Sequence, residues 1–154
     1  MRIPDFSSPE LCWVLKNLSS RDDVLRALSE KVAAKHSGIQ ASELFDALLE
    51  REKRGSTATP EGVAFPHTTA EGLDQSLVGV ALLDQPVNFG EGTESPCNIL
   101  FLLMGPPGSE WDHLRILAHI SRICRRPHAL DNLRCAIDGE DLFKRICNED
   151  GNDV

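Results

Sequence analysis

The sequence predicts an α/β fold, a mixed central sheet with helices on both faces. Three observations predict it. Residues 98–104 read Asn-Ile-Leu-Phe-Leu-Leu-Met, apolar at successive positions, the pattern of a central strand covered on both sides. Helical patterns stand before, between and after strand-like runs, which indicates helices layered on a sheet. The 154 residues contain no repeat and no low-complexity linker, so 1–154 reads as a single domain, long enough to bury a core.

The elements follow in order. Residues 11–18, Leu-Cys-Trp-Val-Leu-Lys-Asn-Leu, are short for a helix, and Trp13 and Val14 favour a strand. Ser20-Arg-Asp-Asp23 resembles a capping box. Val24, Leu25, Leu28 and Val32 then recur at helical spacing, and Gly38 stops that helix. A second helix runs from about Ser42, with Phe45, Leu48 and Leu49 inward, to Gly55. Arg51, Lys53 and Arg54 fall in its last turns, where cations suit the helix dipole.

Strands are expected over 63–65 and, more strongly, 76–83. Gly105-Pro-Pro-Gly108 breaks the 98–104 strand, and Ser109-Glu-Trp-Asp112 opens a long helix with a second capping-box-like pair. Leu114, Leu117, Ala118 and Ser121 form its expected inner stripe, widened by Ile116, Ile120 and Ile123, and Pro127 ends it. A short helix over 129–136 and a final one over 139–147, capped by Asp138, close the chain. The Gly and Pro clusters at 55–62, 90–96 and 105–108 are loops within the domain.

Bulk properties exclude several classes. The net charge of -8 opposes non-specific nucleic-acid binding, which needs cations to displace phosphate counterions. The longest apolar run, 99–104, is a strand length rather than a membrane span. The opening Met-Arg-Ile-Pro-Asp has no signal-peptide core. A cytoplasmic protein without membrane insertion is the expectation. Five cysteines, Cys12, Cys97, Cys124, Cys135 and Cys147, include no C-x-x-C pair, which points to reduced thiols rather than a disulfide framework or zinc site.

Chemistry centres on the histidines. None of His36, His67, His113, His119 and His128 forms an H-E-x-x-H or H-x-H pair, so the spacing does not support a metal site. His113 and His119 are six apart, about 600° around a helix, and should face different ways. His119 should lie beside the apolar stripe, with His36 and His128 solvated at helix ends. No G-x-S-x-G elbow and no P-loop is present.

His67 follows the run Gly62-Val-Ala-Phe-Pro66, where a strand ends. Thr68, Thr69, Ala70, Glu71 and Gly72 make a small polar loop after it, whose N–H groups and hydroxyls could cradle an anion. Sixteen residues earlier, Arg51 and its basic neighbours end a helix. An imidazole with guanidinium groups nearby suits phosphoryl chemistry. An ordinary surface histidine at a strand end fits the spacing as well. His113 lies in the first turn of the long helix, where a helix N-terminus can join an anion site.

Three motifs occur together in order: Arg51-Glu-Lys-Arg-Gly-Ser-Thr, then Glu61-Gly-Val-Ala-Phe-Pro-His67, then Asp112-His-Leu-Arg-Ile-Leu-Ala118. In combination they resemble the enzyme IIA domains of the bacterial phosphoenolpyruvate-dependent phosphotransferase system, of the fructose/mannitol type that includes the nitrogen-regulatory proteins. The resemblance spans roughly residues 8–148. It implies that His67 accepts a phosphoryl group, that Arg51 holds the phosphoryl oxygens, and that His113 is the second active-site histidine. Thr68, Thr69 and Ser56 are the further candidates for holding phosphate. It also implies a first strand over 11–17, no cofactor, and an HPr-like phosphocarrier as donor. The next partner would be a IIB domain of a sugar permease or a regulatory target, and a chain that binds without transferring is a third reading. Phe65, Phe89 and Leu73 are candidates for an apolar docking patch around His67. Many members carry Gly after the acceptor histidine, where this chain has Thr68.

Overall fold

The structure, a computed structural model, describes residues 1–90 and 94–151. Positions 91–93, within the expected 90–96 loop, lie outside the described residues. The element order is β1 (Cys12–Leu15), α1 (Arg21–Lys35), α2 (Ala41–Arg54), β2 (Val63–Ala64), β3 (His67–Thr69), β4 (Leu77–Asn88), β5 (Pro96–Gly105), α3 (Glu110–Cys124), α4 (Ala129–Arg134) and α5 (Gly139–Gly151). Short 3₁₀ turns at Ile3–Asp5 and Pro9–Leu11 precede β1.

The sheet runs β1-β4-β5-β2, with β3 following β2 along the same side of β5. Among the described strands only β4 and β5 are antiparallel to each other. The mixed sheet expected from sequence is therefore present. β5 alternates between two cores. Leu100, Leu102 and Met104 face Val24, Leu25 and Leu28 of α1 and Leu44, Phe45 and Leu48 of α2. Ile99, Phe101 and Leu103 face Ile116 and Ile120 of α3, Leu133 of α4 and Leu142 and Ile146 of α5. Burial on both faces explains the unbroken apolar run, since each buried Leu or Ile side chain contributes about 1.5–3 kcal/mol.

Several local signals act as read. Ser20 caps α1 by accepting from the Asp23 N–H at 3.1 Å. Asp138 accepts from the Asp141 N–H at 2.8 Å at the start of α5. Other expectations need correction. β4 continues past Leu83 to Asn88, with a register shift between Leu82 and Val87 that lets an exposed polar segment bend before pairing resumes at Val87 and Cys97. α5 runs four residues past Cys147 to Gly151. Residues 67–69 are not loop: they form β3, in register with Leu103, Met104 and Gly105. The inner face of α3 is His113, Ile116, His119, Ile120 and Ile123, whereas Leu114 is 59% exposed and Ala118 is also exposed. The apolar count misplaced the stripe because both buried histidines have partners that make burial tolerable.

Candidate functional site

Helix α2 ends at Arg54 beside the strand that carries His67. Arg51 sits one turn before that end, and its Nε donates to His67 Nε2 at 3.2 Å. Its Nη1 donates to the Gly55 carbonyl at 2.8 Å, which fixes the guanidinium against the helix terminus. The other imidazole nitrogen, Nδ1, lies 2.9 Å from the Phe65 carbonyl. A carbonyl only accepts and a guanidinium only donates. Both contacts therefore define one tautomer, with the proton on Nδ1 and the lone pair on Nε2, the nitrogen that faces the cation.

The approach to His67 is fixed by residues that the sequence reading passed over. Glu52 is 1% exposed, although it stands inside the basic cluster. Its carboxylate accepts from the Thr57 N–H at 3.1 Å and from the Thr57 hydroxyl at 2.5 Å. Thr57 Oγ1 in turn accepts from the Phe65 N–H at 3.1 Å. The Glu52–Thr57 pair thus holds the peptide unit whose carbonyl neighbour fixes the His67 ring. One signal could have found it: an acidic residue inside Arg51-Glu-Lys-Arg54 interrupts a run that otherwise favours cations at a helix end.

Across a cleft of about 250 Å³ from His67 stands α3. The cleft is lined by Phe65, His67, Leu103, Glu110, His113, Leu114 and Leu117. His113 is buried, and its Nε2 lies 3.3 Å from Ser109 Oγ. Burial lowers the His113 pKa below its ordinary 6.5, and the neighbouring His67 adds to this. The Met104 backbone, Glu110 and Asp112 act in the opposite direction. Ser109 precedes α3 without capping it, so the expected capping box is absent there; its hydroxyl goes to His113 instead.

The structure thus brings His67, Arg51 and His113 together. Thr68 and Thr69 adjoin them as part of β3, half-buried, with Thr68 Oγ1 at 3.2 Å from its neighbour's carbonyl. Neither has a positive φ. The extended backbone that β-branched residues prefer is what position 68 requires here, so Gly is not needed. Ser56 is turned elsewhere: its hydroxyl donates to the Phe89 carbonyl at 2.9 Å and accepts from the Ala58 N–H. Of the expected docking residues, Phe65 lines the cleft, but Phe89 and Leu73 are buried in the core of the α1–α2 face. The exposed apolar side chains on this side are Trp111, 77% exposed, and Leu114.

The remaining histidines lie apart from the cleft. His119 is buried on Asp150 at 2.8 Å, His128 is solvated beside Asp131, and His36 is half-buried rather than fully solvated. Among the described residues no three His, Cys, Asp or Glu side chains converge on a point that could hold a metal ion. All five cysteines are free thiols, with burial pushing Cys12 and Cys124 to about 12 and Cys97 to about 11. Among the described residues no helix is long and apolar enough to cross a membrane.

Comparison with known proteins identifies the family and the fold. The family model described as the phosphoenolpyruvate-dependent sugar phosphotransferase system, EIIA 2, matches residues 5–149. A nitrogen regulatory protein from Bradyrhizobium diazoefficiens is 34% identical over 143 residues, covering 93% of each chain. The crystal structure of nitrogen regulatory protein IIA-Ntr from Neisseria meningitidis superposes with a TM-score of 0.81 at 22% identity, over 94% of this chain and 98% of that one. Enzyme IIA of the mannitol system from Escherichia coli, solved in complex with phosphorylated enzyme IIB, gives a TM-score of 0.68 at 17% identity, over 87% and 99%. The chain is a member of the enzyme IIA type 2 family of the phosphoenolpyruvate-dependent sugar phosphotransferase system.

Proposed function

We propose that this chain is a histidine phosphocarrier: His67 Nε2 takes a phosphoryl group from an HPr-like protein. The observation that carries the reading is the fixed tautomer of His67, with Nδ1–H on the Phe65 carbonyl and the Nε2 lone pair facing Arg51. A neutral imidazole is a competent nucleophile near neutral pH. The Nε2–P bond forms as the donor's N–P bond breaks. The donor ring, protonated on its other nitrogen, leaves as neutral imidazole with the bonding electron pair. The acceptor ring, protonated on Nδ1, takes its place, so charge and protons balance.

Transfer of this kind depends on positioning and positive charge around the equatorial oxygens. Arg51 vacates the lone pair as phosphorus arrives, and its planar fork then holds phosphoryl oxygens. His113, kept neutral by burial, supplies a neighbouring hydrogen bond. Thr68 and Thr69, which follow His67 in β3, are the further candidates for holding phosphate; Ser56, bonded to Phe89, acts on the loop rather than on phosphate. No metal or organic cofactor enters this scheme. Leu114, which lines the cleft, and Trp111 in the first turn of α3 expose apolar surface, suited to a docked protein donor.

A regulatory role is favoured over sugar transport. The supporting observation is the 34% identity to a nitrogen regulatory protein over nearly the whole of both chains. Phosphorylation would add close to two negative charges beside the docking surface and so switch partner affinity. Passage of the group to a IIB domain is the second reading, supported by the fold shared with a IIA that was solved with its phosphorylated IIB.

Incubation with phosphoenolpyruvate, enzyme I and HPr tests both. Wild-type protein should be labelled, and His67→Ala should not be; label persisting on His67→Ala would overturn the assignment. Arg51→Ala should slow single-turnover labelling by about 100-fold, the loss typical of one transition-state donor. Label that stays on the protein when IIB domains are added supports regulation, whereas movement to a IIB cysteine supports transport.

A further inference from the structure

Behind His113 three polar atoms crowd a point that has no side chain of its own. Gly105 ends β5, and a Cβ built there would clash with Ser109 Oγ and lie 2.9 Å from both His113 Nε2 and Ser76 Oγ. Ser76 reaches the point from the residue before β4. Ser109 and His113 reach it from the start of α3, with their polar atoms 3.3 Å apart. Ser76 Oγ is buried and, alone among described side-chain atoms of that kind, has no hydrogen-bond partner. A buried hydroxyl left without a partner is costly, so its position next to two others needs an explanation.

The direction of the chain of hydrogen bonds can be argued from proton supply. If His113 Nε2–H donated to Ser109, and Ser109 to Ser76, the Ser76 proton would have no acceptor. In the opposite direction, Ser76 donates to Ser109, Ser109 donates to His113 Nε2, and every proton ends on a lone pair. Ser76 Oγ makes no hydrogen bond as it stands, and a rotation of Ser76 or one water over Gly105 would complete the first link.

We propose that Ser76 and Ser109 form a hydroxyl relay over Gly105 that fixes the ring and tautomer of His113, making both serines positioning residues for the neighbouring phosphoryl site. His113 is thereby held with Nε2 as acceptor and Nδ1–H as its one donor. The relay deepens the phosphocarrier reading of His67 as far as transfer is concerned, but the tautomer itself is independent of that reading. Gly105 is part of the device, because any side chain there would separate the three groups.

The experiment has two arms. Imidazole ¹⁵N spectra of the unphosphorylated protein, taken above the His113 titration, should show the Nδ1–H tautomer for His113. Ser109→Ala should give mixed tautomers and Ser109→Thr should restore the wild-type pattern. Ser76→Ala should shift the population in the same direction as Ser109→Ala, and Gly105→Ala should abolish the preference. Burial chiefly sets the titration, with His67 on β3, the Met104 backbone on β5, and Glu110 and Asp112 on α3 beside it; the substitutions at the two serines change none of these groups. In the second arm, Ser109→Ala should slow single-turnover labelling from phosphorylated HPr about fivefold, the effect of one ordinary hydrogen bond, with rescue by Thr.

An Nε2–H tautomer in the wild type, or ¹⁵N spectra unchanged in Ser109→Ala, overturns the relay. Absence of labelling in the wild type overturns the phosphocarrier reading and leaves the spectral arm to stand or fall by itself. Changed spectra with unchanged labelling rates would overturn the positioning role.

Discussion

At the scale of the residue, the two site histidines are set up for different work. His67 is half-exposed and gripped at both nitrogens, while His113 is buried, with its Nε2 beside the Ser109 hydroxyl and the Met104 backbone also acting on the ring. Its lowered pKa makes a prediction about stability. Because the folded pKa lies below the unfolded 6.5, the unfolded chain binds the proton more readily. The contribution is fully present above 6.5 and is lost as pH falls through and below that value. Urea midpoints of wild type and His113→Gln should therefore run parallel above neutrality, with the wild type falling relative to the variant on acidification. Parallel curves down to pH 5 would contradict the buried, neutral state. At this scale the sequence was informative about His67, Arg51 and His113, since their residue types match the chemistry in three ordered motifs. It assigned no role to Glu52, Thr57 and Ser76, whose importance lies in who their partners are. No spacing rule pairs residue 57 with the N–H of residue 65, or residue 76 with residue 109.

At the scale of the element, the turn between α2 and β2 has the most concentrated hydrogen bonding near the site. Thr57→Val would leave the Phe65 N–H without its acceptor and strip one donor, the hydroxyl, from a buried carboxylate. Only the side-chain share is lost, since the Thr57 N–H stays. A loss of about 1–3 kcal/mol in urea unfolding is expected. Labelling should slow as well, because the carbonyl that orients His67 belongs to Phe65 itself. Thr57→Ser should retain most of both. The helices were legible because caps and 3.6-residue periodicity are local, as at Ser20 and Asp138. β3 was not. Three residues after a proline have no periodicity to read, and what makes them a strand is the pairing with Leu103, Met104 and Gly105, which lie 36 residues on. The α3 stripe failed for a related reason: His113 and His119 count as polar in sequence yet are buried by Ser109 and by Asp150.

At the scale of the whole molecule, one carboxylate ties the first turn of the chain to α3 and α5 on one face of the sheet. Asp150 on α5 accepts from the Ile3 N–H at 2.7 Å and contacts His119 of α3 at 2.8 Å, with all of these groups buried. Beyond Ile3, the Phe6 carbonyl and Ser7 hydroxyl pair with Val78 alongside the start of β4. Asp150→Ala leaves two buried groups unpartnered. The expected result is a loss of about 2–6 kcal/mol, from one to three for each group, together with faster amide hydrogen exchange over residues 3–7. Exchange there at the wild-type rate would mean that the turn is held by Phe6 and Ser7 alone. The two-faced arrangement itself was legible from the 98–104 run. This tie between the ends was not, because it joins residues 147 positions apart.

The edge of the sheet that carries His67 has a further consequence. β2 and β3 together offer only five strand residues, divided by Pro66, which has no N–H to give. The chain folds back along the outer side of β2, through the Ala58–Ala64 bridge and the bond from Thr59 to Val63. Short, proline-broken and covered edges resist strand addition by other chains. The acceptor proposed above thus sits on a border that discourages self-association, so a protein partner would meet it through side-chain surfaces and could leave again.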